Sequence, residues 1–174
     1  MHMKRILSLF LCVMMCLGLL CLAVPDSRAD SNPVKKNGRS VSSADELRRY
    51  DIVTFGTYPL RSYDDDAPIE WIVIKKSGTR VTLVTRDLID SQTFHHTAAG
   101  AVTWQSCDLN RWLNDTFLES AFTSKEQDMI TGSVTIPSLA EARSMPADML
   151  NPVFTPYAIE RGGNSSLIIW WLRD

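Results

Sequence analysis

The sequence predicts an α+β fold, a small antiparallel sheet with two or three short helices packed against it. Three observations carry this. Runs rich in β-branched and aromatic residues recur at 52–55, 69–74 and 80–85, the last two joined through Ser77-Gly78. Leu109, Trp112, Leu113 and Phe117 fall at i, i+3, i+4 and i+8, the spacing of one helix face. Ser/Thr-x-x-Glu patterns at 43–46, 123–126 and 138–141 have the spacing of capping boxes, which open helices.

The chain begins with a basic stretch, Met1-His2-Met3-Lys4-Arg5, and an apolar run from Ile6 to Val24. Pro25-Asp26 ends the run, and Ser27-Arg28-Ala29 places small residues at −3 and −1 of a cut before Asp30. This is the three-part layout of a secretory signal, so residues 1–29 are expected to be removed and the protein to act outside the cytoplasm, secreted or at the cell surface. The run is also within the ~17–25 residues that cross a bilayer. Retention as an anchor is the rival reading, and the one route to a membrane. Lipidation is weaker still, because Leu11, Met15 and Leu20 precede Cys12, Cys16 and Cys21, where a lipoprotein site needs a small residue.

The whole chain of 174 residues carries 18 basic and 20 acidic side chains, a net charge of −2. Without residues 1–29 the balance is more acidic. After Lys35-Lys36 no basic cluster occurs, so nucleic acid is not an expected partner. Of the cysteines, only Cys107 lies beyond the leader, and one cysteine makes no internal disulfide. It reads as a small buried apolar residue at a helix start rather than as a reactive thiol.

Residues 30–42 are polar, contain Pro33 and Gly38, and lack an apolar period; they read as a flexible tether. Ser43 opens a short helix, so 30–47 is linker plus helix and 48–174 a single domain. Gly56 is expected to end the first strand. In the second strand Ile69, Trp71 and Val73 share a face; in the third Val81 and Leu83 do. The sheet is expected to be covered on one side and partly on the other. Ser106 is the expected cap of the helix that follows, with Asp108 in its first turn. The helix opened at Thr123 runs to Ile130 and closes at Gly132; the one opened at Ser138 stops before Pro146. Leu167–Leu172 reads as a strand buried on both faces.

These residues resemble a known family. The resemblance starts at Asp51-Ile-Val-Thr-Phe55-Gly56-Thr-Tyr58-Pro59 and continues through Pro68-Ile-Glu70-Trp71 and Val102-Thr-Trp104. Cys107 follows, then the helix Leu109-Asn-Arg111-Trp112-Leu113-Asn114 with Phe117-Leu118. Phe122, Glu126 and Met129-Ile130 come next, and Tyr157-Ala158 and Trp170-Trp171-Leu172-Arg173 complete it. Together they are similar to the bacterial module called domain of unknown function 6273, over about residues 50–173. The resemblance implies a module of secreted or surface proteins with no established activity, and a fold similar to the C-type-lectin-like and formylglycine-enzyme-like folds. Its motif residues read as structural. The family continues through Ser-Pro-Gly after Trp-Trp-Leu-Arg, whereas this chain stops at Asp174, so the C-terminal part of the family domain is expected to be missing.

The remaining clusters favour structure over chemistry. His95-His96 is the one histidine pair after the leader, and adjacent histidines without further spaced ligands read as a loop pair rather than a metal site. Asp64-Asp65-Asp66 lacks the alternation and glycine of an EF-hand and reads as a solvated acidic loop. Glu70, set between Ile69 and Trp71, is expected to pair with Arg80 or Arg86. Trp104, Trp112, Trp170 and Trp171 are mostly core. Arg161-Gly-Gly-Asn164 shares only its glycines with phosphate-binding loops, and no catalytic Ser/His/Asp context occurs. The expectation is a non-catalytic extracytoplasmic module, with no catalytic or metal-ligating residues and no cofactor, that binds a glycan or a protein. An enzyme of the formylglycine-generating type and a truncated remnant without function are the alternatives.

Overall fold

Alternation of Ile69, Trp71 and Val73 with the side chains between them builds the centre of the sheet. The computed structural model describes residues 19–24, 32–97, 101–150, 152–163 and 172–173, without the side chains at 148 and 150. Among these, six strands form one antiparallel sheet: β1 (Leu19–Ala23), β2 (Lys35–Lys36), β3 (Arg39–Ser40), β4 (Ile52–Pro59), β5 (Asp66–Ser77) and β6 (Arg80–Thr85), in the order β1-β6-β5-β4-β2-β3. The fold is α+β. Strands β5 and β6 pair from Trp71↔Thr85 to Ser77↔Arg80, leaving Gly78-Thr79 as a two-residue turn with Gly78 at φ 59.

Both faces of the sheet are covered. Ile69, Trp71, Val73, Val81 and Leu83 point into the main core with Phe55, Leu109, Leu113, Phe117 and Phe122. Ile72, Ile74 and Val84 point the other way, into a smaller cluster with Leu19, Leu88, Met145, Phe154 and Ala158. Buried Trp71 donates its indole N–H to the Phe55 carbonyl at 2.7 Å, which satisfies its polar atom inside the core.

Two expectations about the sheet need correction. Gly56 does not end the first strand: β4 continues to Pro59, and the register shifts between Thr54 and Thr57. Gly56 sits in this irregularity at φ 70. The pairing resumes beyond it, so the glycine bends the strand instead of stopping it. Residues 35–40 are not a tether. They form the β2–β3 hairpin, turned at Asn37 (φ 52) and Gly38 (φ 75), the residue pair that suits a two-residue hairpin. Buried Val34 and Val41 hold its base, and Lys35 pairs with Thr54 of β4. Leu19–Ala23, at the end of the apolar run of the expected leader, forms strand β1. It pairs with β6 from Leu19↔Val84 to Ala23↔Arg80. On its other side it meets Thr135 and Ile130. No helix among the described residues is long and apolar enough to cross a membrane.

The helices are short. Helix α1 (Asp108–Trp112) runs through a wider π turn (Leu113–Phe117) into α2 (Leu118–Ala121). Its cap is Cys107, not Ser106: the Cys107 sulfur accepts from the Asn110 N–H at 3.4 Å, while the Ser106 hydroxyl accepts from the Thr103 N–H at 3.1 Å. Asn114 ties this rod to the loop beyond, donating to the Val134 carbonyl and accepting from its N–H. Helices α3 (Ser124–Gln127) and α4 (Leu139–Arg143) both open with complete capping boxes, at Thr123/Glu126 and Ser138/Glu141. At Ser43 the box is half made. Ser43 accepts from the Asp45 N–H, but the Glu46 carboxylate turns to Ser42 and makes only a single turn at 44–46. Helix α5 (Pro156–Glu160) is capped by Thr155, with Pro156 in its first turn, where no N–H is needed.

Candidate functional site

Polar side chains converge where β5 and β6 end against the loop that follows β6. Arg86 leaves β6 and places its guanidinium 2.6 Å from Glu70 of β5. Of the two arginines the sequence offered to Glu70, Arg86 is the partner. Asp87 follows at once. Burial pushes the Asp87 carboxyl above its ordinary value, against the pull of Arg86 and of the Val153 N–H, while Glu70 adds to the rise. The pairing to Glu70 in turn raises the Arg86 guanidinium. Two open cavities flank this group. One, of about 320 Å³, is lined by Thr54, Leu60, Pro68, Glu70, Asp87 and Thr155 among others. The second, of about 470 Å³, is lined by Tyr50, Ile52, Arg86, Asp87, Met149 and Val153 among others. Asp87 borders both.

Tyr50 is the unusual wall of this cleft. Its φ is 73, a left-handed conformation that a bulky residue adopts at a cost of roughly 1–3 kcal/mol. The backbone imposes it. The Tyr50 N–H donates to the Val73 carbonyl at 2.6 Å, and the Val73 N–H donates to the Asp51 carbonyl at 2.9 Å. Arg49 is pinned by the Ile74 and Ser144 carbonyls, and its guanidinium lies 4.7 Å from the centre of the Tyr50 ring. The ring stays 38% exposed beside exposed Ile52 and Val153. A strained, fixed aromatic thus shares a cavity with the Asp87 carboxyl and the Arg86 guanidinium, and Glu70 is paired to that guanidinium from the neighbouring cavity. Such an arrangement can receive hydroxyl donors at Glu70 and Asp87 and an acceptor at Arg86, with an apolar surface alongside.

A second polar centre lies deeper. Asp90, 1% exposed, accepts from the Tyr58 hydroxyl at 2.5 Å and from the Ser91 N–H at 2.6 Å, and the Arg161 Nε lies 3.6 Å away. Burial raises its carboxyl in spite of these partners. Arg161 also donates to the Tyr63 hydroxyl, so this centre locks helix α5 to the sheet.

The other candidates are structural in place. His95 and His96 do not splay apart. Both Nδ1 atoms approach Asp108 Oδ2, at 2.9 and 3.0 Å, and Arg111 reaches Oδ1 at 3.3 Å. Asp64 is exposed in the loop, Asp65 lies 3.5 Å from Arg61, and Asp66 begins β5. Among the described residues no three metal-binding side chains gather. Cys107 is buried and donates to the Trp104 carbonyl. Phe55, Tyr58, Trp71, Trp104, Leu109, Leu113 and Phe117 are core residues, and Trp112 stacks on Phe117 at 5.6 Å. Trp170 and Trp171 lie outside the described residues. Leu172 and Arg173 are described. Arg173 donates to the Ile136 carbonyl and lies 2.9 Å from Glu141. Tyr50 and Asp87 went unseen in the sequence. Nothing local announces a tyrosine at positive φ, and Asp87 follows the strand as any solvated aspartate would.

Residues 79–147 match the model of a family described as Domain of unknown function (DUF6273). The match runs from the turn before β6 to just past α4. It takes in Trp104, Cys107 and the Leu109–Phe117 rod, and leaves Phe55 to Trp71 and the Trp-Trp-Leu-Arg segment outside. No curated protein and no solved structure matches the chain.

Proposed function

We propose that the chain, which carries a DUF6273 domain at residues 79–147, is a non-catalytic extracytoplasmic module that binds a glycan in the cleft between Tyr50 and Asp87. The export half of the reading is supported by the basic start, apolar run and small-residue cut site of residues 1–29. The binding half is carried by one observation: a strained, partly exposed Tyr50 lining one cavity with Asp87 and with Arg86, the partner of Glu70. Sugars present hydroxyl groups on their edges and C–H groups on their faces. Carboxylates and a guanidinium meet the first, and a tyrosine ring meets the second.

The test is a titration of the exported protein with a panel of glycans, read by calorimetry. Tyr50→Ala and Asp87→Asn are each expected to weaken binding at least tenfold, about 1.4 kcal/mol, with melting temperature held within a few degrees. Silence across the panel from a protein that melts cooperatively would overturn the glycan reading. Binding that both variants retain would overturn the placement of the site.

A further inference from the structure

We propose that one end of the sheet, formed by the β2–β3 hairpin, the 44–51 turn and the β5–β6 hairpin, is a docking surface for an anionic lipid bilayer. Neither the Tyr50 cleft nor the removal of residues 1–29 is needed for it.

Charge is divided unevenly along the chain. Residues 35–51 and 75–80 hold eight lysines and arginines against three carboxylates. From residue 30 onward, the remainder holds seven against sixteen. The fold brings the two basic stretches together. Lys36 of β2 donates to the Glu46 carbonyl at 3.2 Å and lies 2.6 Å from Asp51. Lys76, near the end of β5, lies 2.8 Å from Asp45 of the same turn. Arg49 donates to the Ile74 carbonyl, and Arg80 opens β6 opposite Ser77. Three turns far apart in sequence are thus bonded side by side.

The carboxylates at this end are engaged from within. Asp45 is held by Lys76, Asp51 by Lys36 and the Arg48 N–H, and Glu46 by the Ser42 N–H. Lys35, Arg39, Lys75 and Arg80 are exposed, and among the described residues none of the four is in an ion pair. Their counter-charge has to come from outside. A molecule with one basic end and an acidic remainder also orients on an anionic plane, basic end down, with the rest held away.

The form of that counter-charge follows from what accompanies the cations. Nucleic acid single strands are held by a basic groove that tracks the backbone and by aromatic rings that stack the bases. Residues 35–40, 44–49 and 75–80 contain no aromatic side chain. The free cations stand on two separate hairpins rather than along one groove, Lys35 and Arg39 on β2–β3 and Lys75 and Arg80 on β5–β6. Long cationic side chains on adjacent hairpins can meet a plane of phosphate headgroups together, each raising partition about fivefold. The sequence gives no sign of this cluster, because its two halves lie on opposite sides of β4 and most of β5 along the chain.

Co-sedimentation of the full chain with vesicles tests this. Partition into phosphatidylcholine vesicles containing phosphatidylglycerol is compared with partition into phosphatidylcholine alone. The ratio is the readout, and residues 1–29 are the same in every variant. It is expected to exceed about 100-fold and to fall towards one in about 1 M salt, where charges are screened beyond about 3 Å. Lys35→Gln, Arg39→Gln, Lys75→Gln and Arg80→Gln are each expected to lower it about fivefold, and all four together to bring it near one, with the melting temperature unchanged. Lys125→Gln with Arg143→Gln, two exposed cations elsewhere, is expected to leave it unchanged. A ratio near one from a protein that melts cooperatively would overturn the proposal. Equal loss from the Lys125 and Arg143 pair would overturn the placement, since net charge alone would then explain binding. Release from the vesicles by soluble polyphosphate or single-stranded RNA at matched phosphate concentration would assign the surface to a soluble polyanion and overturn the bilayer.

Discussion

A single hydrogen at Gly56 lets the sheet and the helical rod meet. A Cβ built there would lie 2.5 Å from the Phe122 ring and 2.7 Å from the Ala121 carbonyl, at a φ of 70 that side chains rarely adopt. Gly56→Ala is expected to cost about 1–3 kcal/mol in a denaturant melt, through crowding and backbone strain together. Asp90 acts in the opposite sense to most carboxylates. Burial raises it above the ordinary 3.8 in the folded state, so the folded chain holds its proton more tightly than the unfolded one. Its contribution is therefore neutral at low pH and becomes destabilising as pH climbs from about 4 through the raised value. Asp90→Asn keeps an acceptor for Tyr58 and removes this term. Melting temperatures measured from pH 3 to 8 are expected to show the wild type losing ground to the variant as pH rises.

At the scale of elements, short helices depend on their ends. Helices α3 and α4 have four and five residues, too few to stand on propensity, and each is opened by a complete capping box. Ser138→Ala is expected to cost about 1 kcal/mol. Glu126→Ala is expected to cost more than Ser138→Ala, because its carboxylate also accepts from the Gly56 N–H at 3.2 Å and so joins the α3 cap to β4. The 94–97 loop is held to the start of α1 by Asp108. The His96 N–H and imidazole, with His95 and Arg111, keep that carboxyl below its ordinary 3.8. A lowered folded value stabilises above 3.8 and loses that stabilisation as pH falls through it. Asp108→Asn is expected to lower the melting temperature at pH 6 and to show less acid sensitivity below pH 4 than the wild type. The cap assignments were legible because each rests on four adjacent residues. The half-made box at Ser43 escaped because Ser42, one position earlier, competes for the same carboxylate.

Across the whole molecule, Phe122 joins the layers. Its ring lies 5.2 Å from Phe55 of β4, 6.2 Å from Trp71 of β5 and 5.8 Å from Phe117 of the helical rod. Phe122→Ala removes a contact to both layers at once. It is expected to cost about 3–5 kcal/mol, a large share of the stability of a single domain, and to be read as a sharp fall in denaturation midpoint. Loss confined to the helical signal, with the sheet intact, would show that the two layers melt separately.

The sequence by itself determined the α+β class, the central strands, the amphipathic rod and the caps of α3 and α4, because each follows from periodicity or from hydrogen bonds spanning three or four positions. Asn37-Gly38 carried a hairpin signal that the polar composition around it concealed. Only the tertiary structure decided the rest. Whether Gly56 stops or bends a strand depends on pairing partners in β5, at Glu70 and Pro68. The left-handed Tyr50 is set by Val73, and the convergence of His95 and His96 by Asp108, twelve or more positions away. Local spacing does not encode bonds that a distant strand or helix end supplies, and the candidate cleft is made almost wholly of such bonds.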